Sequence, residues 1–154
     1  MVEIEREEKI WLGIIALVAL VFNVVTVSPL VPWQRWEMWE KPEPTQVVRI
    51  EMKDHDFFLV TDGGLVPLRE AKPVVLKAGD PVKFVITSSD LTYGFGVFEP
   101  GGRMLFQLQV IPTYENEILW IFDTPGYYTV RSTEYSGPEH PYMFVEDAIQ
   151  VVGG

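Results

Sequence analysis

Ser132-Thr133-Glu134-Tyr135-Ser136-Gly137-Pro138-Glu139-His140-Pro141-Tyr142-Met143 is the stretch on which the reading of this chain turns. It follows Tyr127-Tyr128-Thr129-Val130, a β-forming run opened by the turn Pro125-Gly126, and precedes a closing run from Ala148 to Val152. A loop between two strands therefore carries an imidazole at His140, a thioether at Met143 and hydroxyls at Ser132 and Ser136. The chain contains no cysteine, so no thiolate can join them. Disulfides, zinc–thiolate sites, iron–sulfur clusters and thiol nucleophiles are excluded on the same ground. A neutral serine hydroxyl is a hard, weak ligand, and His140 with Met143 alone make too small a set to hold a metal ion tightly and selectively.

Outward from this loop the pattern is strands and turns. Val47-Val48-Arg49-Ile50-Glu51-Met52 alternates apolar and polar, and Phe57-Phe58-Leu59-Val60 follows before the turn at Asp62-Gly63-Gly64. Val74 to Leu76, the turn Lys77-Ala78-Gly79-Asp80-Pro81, and Val82 to Ile86 read as strand, turn, strand. Leu105 to Val110 and Glu117 to Phe122 add two more alternating runs, with Gly101-Gly102 as a hairpin turn. Short strands with regular turn signals, and no helical period of useful length, predict an all-β Greek-key sandwich. Phe57, Phe58, Phe84, Phe95 and Phe98 are assigned to its core, with an interface as the alternative.

Ahead of this domain lies a different kind of segment. From Ile10 to Val27 only Asn23 and Thr26 interrupt an apolar run that continues through Leu30 and Val31. Roughly 20 residues cover the ~30 Å hydrocarbon core, so this is a transmembrane helix. Trp11 at one edge and Trp33, Trp36 and Trp39 at the other fit interfacial belts. The lead-in Glu3, Glu5, Arg6, Glu7, Glu8, Lys9 is net negative and no Ala-x-Ala follows, which argues for an uncleaved anchor over a signal peptide. Asn23 is expected to face another helix, because an unpaired amide facing lipid is unfavourable; the alternative is that it lies shallow enough to reach headgroups. The expected layout is an N-terminus at 1–9, a span at 10–31, a linker at 32–45 including Lys41-Pro42-Glu43-Pro44, and the β domain at 46–154. Arg6 and Lys9 before the span balance Arg35 and Lys41 after it, so charge alone leaves the orientation open.

At 154 residues there is room for one compact domain and an anchor. A net charge of −10 with no Lys/Arg cluster argues against nucleic acid. No Ser/His/Asp constellation, Gly-rich phosphate loop or His-x-x-x-His spacing is present. His55, in Lys53-Asp54-His55-Asp56, reads as a solvated loop histidine, and a metal site joining it to His140 and Met143 needs the early strand to approach the loop.

With Cys at Ser132 and Ser136, the loop would read Cys-x-Glu-x-Cys-Gly-x-x-His-x-x-Met. That pattern resembles the copper A ligand loop of cytochrome c oxidase subunit II. Gly79-Asp80-Pro81-Val82-Lys83-Phe84, Ser88-Ser89-Asp90-Leu91-Thr92-Tyr93-Gly94-Phe95 and Phe122-Asp123-Thr124-Pro125-Gly126-Tyr127-Tyr128 resemble further segments of the same cupredoxin domain. The resemblance spans roughly residues 45 to 152. It places the family's first ligand His on Tyr93, its two bridging Cys on Ser132 and Ser136, and its carbonyl-donating Glu on Glu134, with His140 and Met143 retained. Three side-chain ligands are thus replaced, both thiolates among them, and no dinuclear copper is expected. The hydroxyls of Tyr93, Ser132 and Ser136 with His140 are instead expected to satisfy one another.

The resemblance also implies a role. Copper A in that family passes electrons from cytochrome c to haem in subunit I, whereas oxidases without it take electrons from quinol at the catalytic subunit. The implied protein is subunit II of a haem-copper quinol oxidase in the plasma membrane of a bacterium or archaeon, with its domain outside. It would hold no cofactor and no catalytic residue, and would cap a subunit I bearing the haems and one copper. Two alternatives remain at this level: the second subunit of a quinol-dependent nitric oxide reductase, and a stand-alone anchored cupredoxin-like binding protein.

Overall fold

The computed structural model describes residues 6–27 and 41–154, and the chain divides into two units at Lys41/Pro42. In the first unit, α1 runs over Arg6–Val27, long and apolar enough to cross a membrane, with none of its residues buried. At 1.5 Å per residue, 22 residues span about 33 Å. The continuation to Val31, the tryptophans at 33, 36 and 39 and most of the expected linker lie outside the described residues.

The second unit is a two-sheet sandwich. Its strands are β1 (Gln46–Lys53), β2 (Asp56–Thr61), β3 (Gly64–Pro67), β4 (Val74–Lys77), β5 (Pro81–Ser88), β6 (Tyr93–Phe98), β7 (Met104–Val110), β8 (Asn116–Ile121), β9 (Gly126–Arg131) and β10 (Phe144–Val152). A single turn of helix, α2 (Leu68–Ala71), separates β3 from β4. One sheet has the order β3-β2-β1-β5-β8 and the other β4-β10-β9-β6-β7. Parallel pairs β1/β5 and β4/β10 sit among otherwise antiparallel neighbours. Asp62-Gly63 and Gly101-Gly102 form the turns expected of them; in the latter, Gly102 N donates to Glu99 O at 2.8 Å.

The alternation in the sequence becomes burial. Val48, Ile50 and Met52 of β1, Phe84 and Ile86 of β5, and Tyr93, Phe95 and Val97 of β6 point into one core. An aromatic chain runs through it: Phe84 lies 6.2 Å from Phe95, 5.5 Å from Phe106 and 6.2 Å from Phe122. Edge-to-face and tilted contacts at such separations add to the area these rings bury. Of the five phenylalanines assigned to the core, Phe57, Phe84 and Phe95 are fully buried, whereas Phe58 and Phe98 are half-buried. Phe58 faces outward because it sits one position off the β2 residue that enters the core, and Lys53 Nζ lies 5.4 Å from its ring centroid.

Two strands are absent from the sequence reading, β3 and β6. Glycines at 94 and 96 lower the β propensity of β6. The structure needs them, because the loop after β9 lies directly on their faces. A Cβ on Gly94 would sit 2.7 Å from Glu134 N, and one on Gly96 would sit 2.6 Å from Thr133 Cγ2.

Candidate functional site

Three loops meet where β6 begins, and hydrogen bonds join them. The β1–β2 turn has Asp54 and His55 at φ 49° and 58°, the paired positive angles of a tight two-residue hairpin. Asp54 N donates to Asp90 Oδ2 at 2.8 Å, tying this turn to the loop before β6. His55 N donates to Tyr93 Oη at 3.2 Å, and His55 Nε2 lies 2.9 Å from the Ser136 carbonyl. A carbonyl can only accept, so the imidazole proton is on Nε2. His55 is therefore no solvated loop residue; it is half-buried and ties the early hairpin to the 132–143 loop.

Tyr93 is wholly buried, and its phenol donates to Asp90 Oδ2 at 3.0 Å. Burial pushes its pKa up to about 12, a rise partly opposed by the His55 N–H and reinforced by the adjacent Asp90 carboxylate. Burial of Asp90 acts to raise its own pKa. The N–H groups of Asp54 and Leu91 and the Tyr93 hydroxyl together outweigh that and hold the carboxyl below its usual range.

The loop after β9 is closed at its base, where Ser132 N donates to Met143 O at 2.9 Å and Thr133 N donates to Gly94 O at 3.2 Å. Ser132 Oγ donates to the Glu134 carbonyl at 3.2 Å, and Ser136 Oγ donates to Met143 Sδ at 3.4 Å. His140 opens a single 3₁₀ turn, His140–Tyr142, that ends with Met143 N donating to His140 O at 3.0 Å. Its ring lies 5.8 Å from that of Tyr135.

The expected mutual network among Tyr93, Ser132, Ser136 and His140 is not what forms. Each hydroxyl finds a different partner: a carboxylate, a backbone carbonyl and a thioether. Among the described residues, Thr133 Oγ1 and His140 Nδ1 are buried with no hydrogen-bond partner. A backbone carbonyl and a thioether lie within hydrogen-bond reach of the two serine hydroxyls and take their protons instead. Asp90 and His55 complete the cluster. Asp90 was visible as the acid three residues before Tyr93, but the part played by His55 depends on a contact 81 residues along the chain.

The cluster offers no nucleophile beside a base, and no group of three or more His, Cys, Asp or Glu side chains placed to hold a metal occurs among the described residues. What the geometry does provide is a rigid tie of three loops at one end of a β-sandwich.

The fold this defines is cupredoxin-like, with one apolar helix ahead of it. The chain is similar to one chain of a heme-copper terminal oxidase dimer solved by cryo-EM, at 19% identity and TM-score 0.58, covering 96% of this chain and 100% of that one. It is also similar to a chain of the mixed-disulfide complex between a thioredoxin-like protein and subunit II of cytochrome c oxidase, at 14% identity and TM-score 0.53, covering 77% and 89%. A third likeness is auracyanin from the photosynthetic bacterium Roseiflexus castenholzii, at 12% identity and TM-score 0.51, covering 72% and 99%. No family model and no curated protein matches the chain.

Proposed function

We propose that this chain is the second subunit of a membrane haem-copper oxidase that lacks copper A and is fed by quinol. Its role is to cap and stabilise the catalytic subunit. The likeness to a chain of a heme-copper terminal oxidase, end to end on that chain, supports the partner. The observation that carries the absence of copper A is the donor set at the six matching positions. Tyr93 spends its hydroxyl on Asp90, Ser132 on the Glu134 carbonyl, and Ser136 on the sulfur of Met143.

A dinuclear copper centre needs soft, anionic bridging sulfurs to share an electron between two ions. Neutral hydroxyls at Ser132 and Ser136 are hard and weak donors, and Tyr93, with a pKa near 12, stays a neutral phenol. Only His140 Nδ1 among the six positions is a buried donor left open. These residues do not fit the group. The chain then holds no cofactor and performs no chemistry; haems and a single copper belong to the catalytic subunit. Cytochrome c has no electron acceptor on this chain, so quinol reaches the catalytic subunit within the membrane. The β domain lies outside the plasma membrane of a bacterium or archaeon and α1 crosses it once.

Isolation of the tagged chain from native membranes tests this reading. Haem in the eluate with quinol-driven oxygen uptake supports it. Non-haem iron with nitric oxide turnover would instead make the complex a nitric oxide reductase. A chain that elutes alone and haem-free would be a stand-alone anchored protein.

A further inference from the structure

We infer that a groove on the outer face of the β4-β10-β9-β6-β7 sheet binds a small organic monocation, an alkylammonium or a guanidinium. The rings of Phe98 and Tyr127 and the carboxylates of Glu146 and Asp147 hold it. The groove shares no residue with the three-loop cluster, and the inference goes beyond the proposed function without resting on it.

An irregularity in β10 builds one wall. Val145 pairs with Val130 and Ile149 with Tyr128, so Glu146, Asp147 and Ala148 stand opposite Thr129 alone. Neighbouring residues of a regular strand point to opposite faces, which would turn one of two adjacent acids toward the core. The bulge removes that conflict: Val145 and Ala148 stay buried, while Glu146 and Asp147 are both exposed and line the groove. Asp147 has φ 52°, a left-handed conformation that aspartate adopts more readily than most residues. Lys72 Nζ donates to the Glu146 carbonyl at 2.9 Å, which ties the bulge down without engaging its carboxylate.

β9 forms the floor. Tyr128 and Val130 enter the core, so Tyr127, Thr129 and Arg131 point outward, and half-buried Phe98 of β6 pairs with Thr129. Gly126 starts β9 close against the hairpin at 99–103, where a Cβ would lie 3.2 Å from Pro100 Cγ. The groove holds about 670 Å³, within the range of small-ligand sites.

Charge and ring chemistry select the ligand. Glu99 also lines the groove, but Arg103 neutralises it through two hydrogen bonds of 2.8 Å. Among the described residues, Arg131 makes no ion pair with Glu146 or Asp147. Two carboxylates against one guanidinium leave one net negative charge, which a monocation balances. A metal ion does not suit the groove, because no three His, Cys, Asp or Glu among the described residues are placed to hold one. An organic cation needs fewer anionic partners: its N–H groups donate to carboxylates while its charge lies against a ring face.

Titration of the isotope-labelled full chain in detergent with N-acetyl-arginine amide, followed by NMR, tests this. Two charge-assisted contacts correspond to a Kd on the order of 1 mM, with saturable shifts centred on the amides of Thr129, Arg131, Glu146 and Asp147. n-Butylammonium should move the same amides, and neutral N-acetyl-glutamine amide should not. Glu146→Gln combined with Asp147→Asn is nearly isosteric on an exposed bulge, and asparagine accepts the same φ, so the fold should hold while binding weakens about tenfold or more. Arg131→Gln removes the one repelling charge and should tighten binding about threefold at low salt. No saturable shift up to about 20 mM, equal shifts with the neutral probe, unchanged affinity in the double variant, or no tightening in Arg131→Gln overturns the inference. Each of these outcomes leaves the proposed function standing.

Discussion

Tyr93→Phe isolates one of the ties that join the three loops. The substitution keeps the buried ring and removes only the hydroxyl, which donates to Asp90 Oδ2 and accepts from His55 N. A hydrogen bond to a charged group is worth about 1.5–3 kcal/mol, and the stranded His55 N–H adds a smaller cost, so a loss of about 2–4 kcal/mol is expected. For a β domain of this size that corresponds to a fall of roughly 10 °C in Tm, read by circular dichroism on the full chain in detergent. The pH dependence gives an independent check. In the unfolded chain the phenol ionises near 10, whereas the folded domain holds the proton to about 12. Its stabilisation is therefore complete below pH 10 and is lost as pH rises from there toward 12, at up to about 1.4 kcal/mol per pH unit. The gap between parent and Tyr93→Phe should narrow over that window. A variant within about 0.5 kcal/mol of the parent at pH 7, or a gap that stays constant from pH 8 to 12, refutes the reasoning.

Other perturbations separate the parts of the cluster. Gly94→Ala drives a Cβ to within 2.7 Å of Glu134 N, so a loss above about 2 kcal/mol and faster hydrogen exchange at Thr133 N–H are expected. His55→Ala removes the tie to Ser136 O; it should cost about 1 kcal/mol and raise exchange in residues 132–143 without changing the fold. His140→Ala gives up no hydrogen bond at Nδ1, so its stability should stay within about 1 kcal/mol of the parent with metal content unchanged. A drop in His140→Ala as large as that of Tyr93→Phe would contradict this ranking. In acid, Asp90 contributes stability above the usual carboxylate pKa, and it is lost as pH falls through the lowered folded value. Asp90→Asn should flatten that part of an acid-denaturation curve.

Much of this was legible from residues alone, and the exceptions share a cause. The strands with clean alternation, such as Val47–Met52 and Leu105–Val110, lie where period-two burial places them. β6 was hidden because its outward positions are glycines, and their reason is the close approach of a loop about 40 residues later. The 132–143 loop declared its donor types, but hydrogen-bond partners within it depend on backbone positions that side-chain identity does not encode. Hence Ser132 bonds a carbonyl and Ser136 a sulfur, and neither meets His140. His55 gave one overlooked signal: Asp-His between two apolar runs suits a two-residue turn with positive φ, and that conformation aims the imidazole back across the sheet end.

The proposed function is that of an oxidase subunit whose copper A positions hold no copper. The most direct measurement is metal analysis with optical spectra of the complex isolated through this chain from native membranes. The account predicts haem, a single copper per complex, oxygen uptake with quinol and none with reduced cytochrome c. Two further coppers per complex, with electrons accepted from cytochrome c, would contradict it.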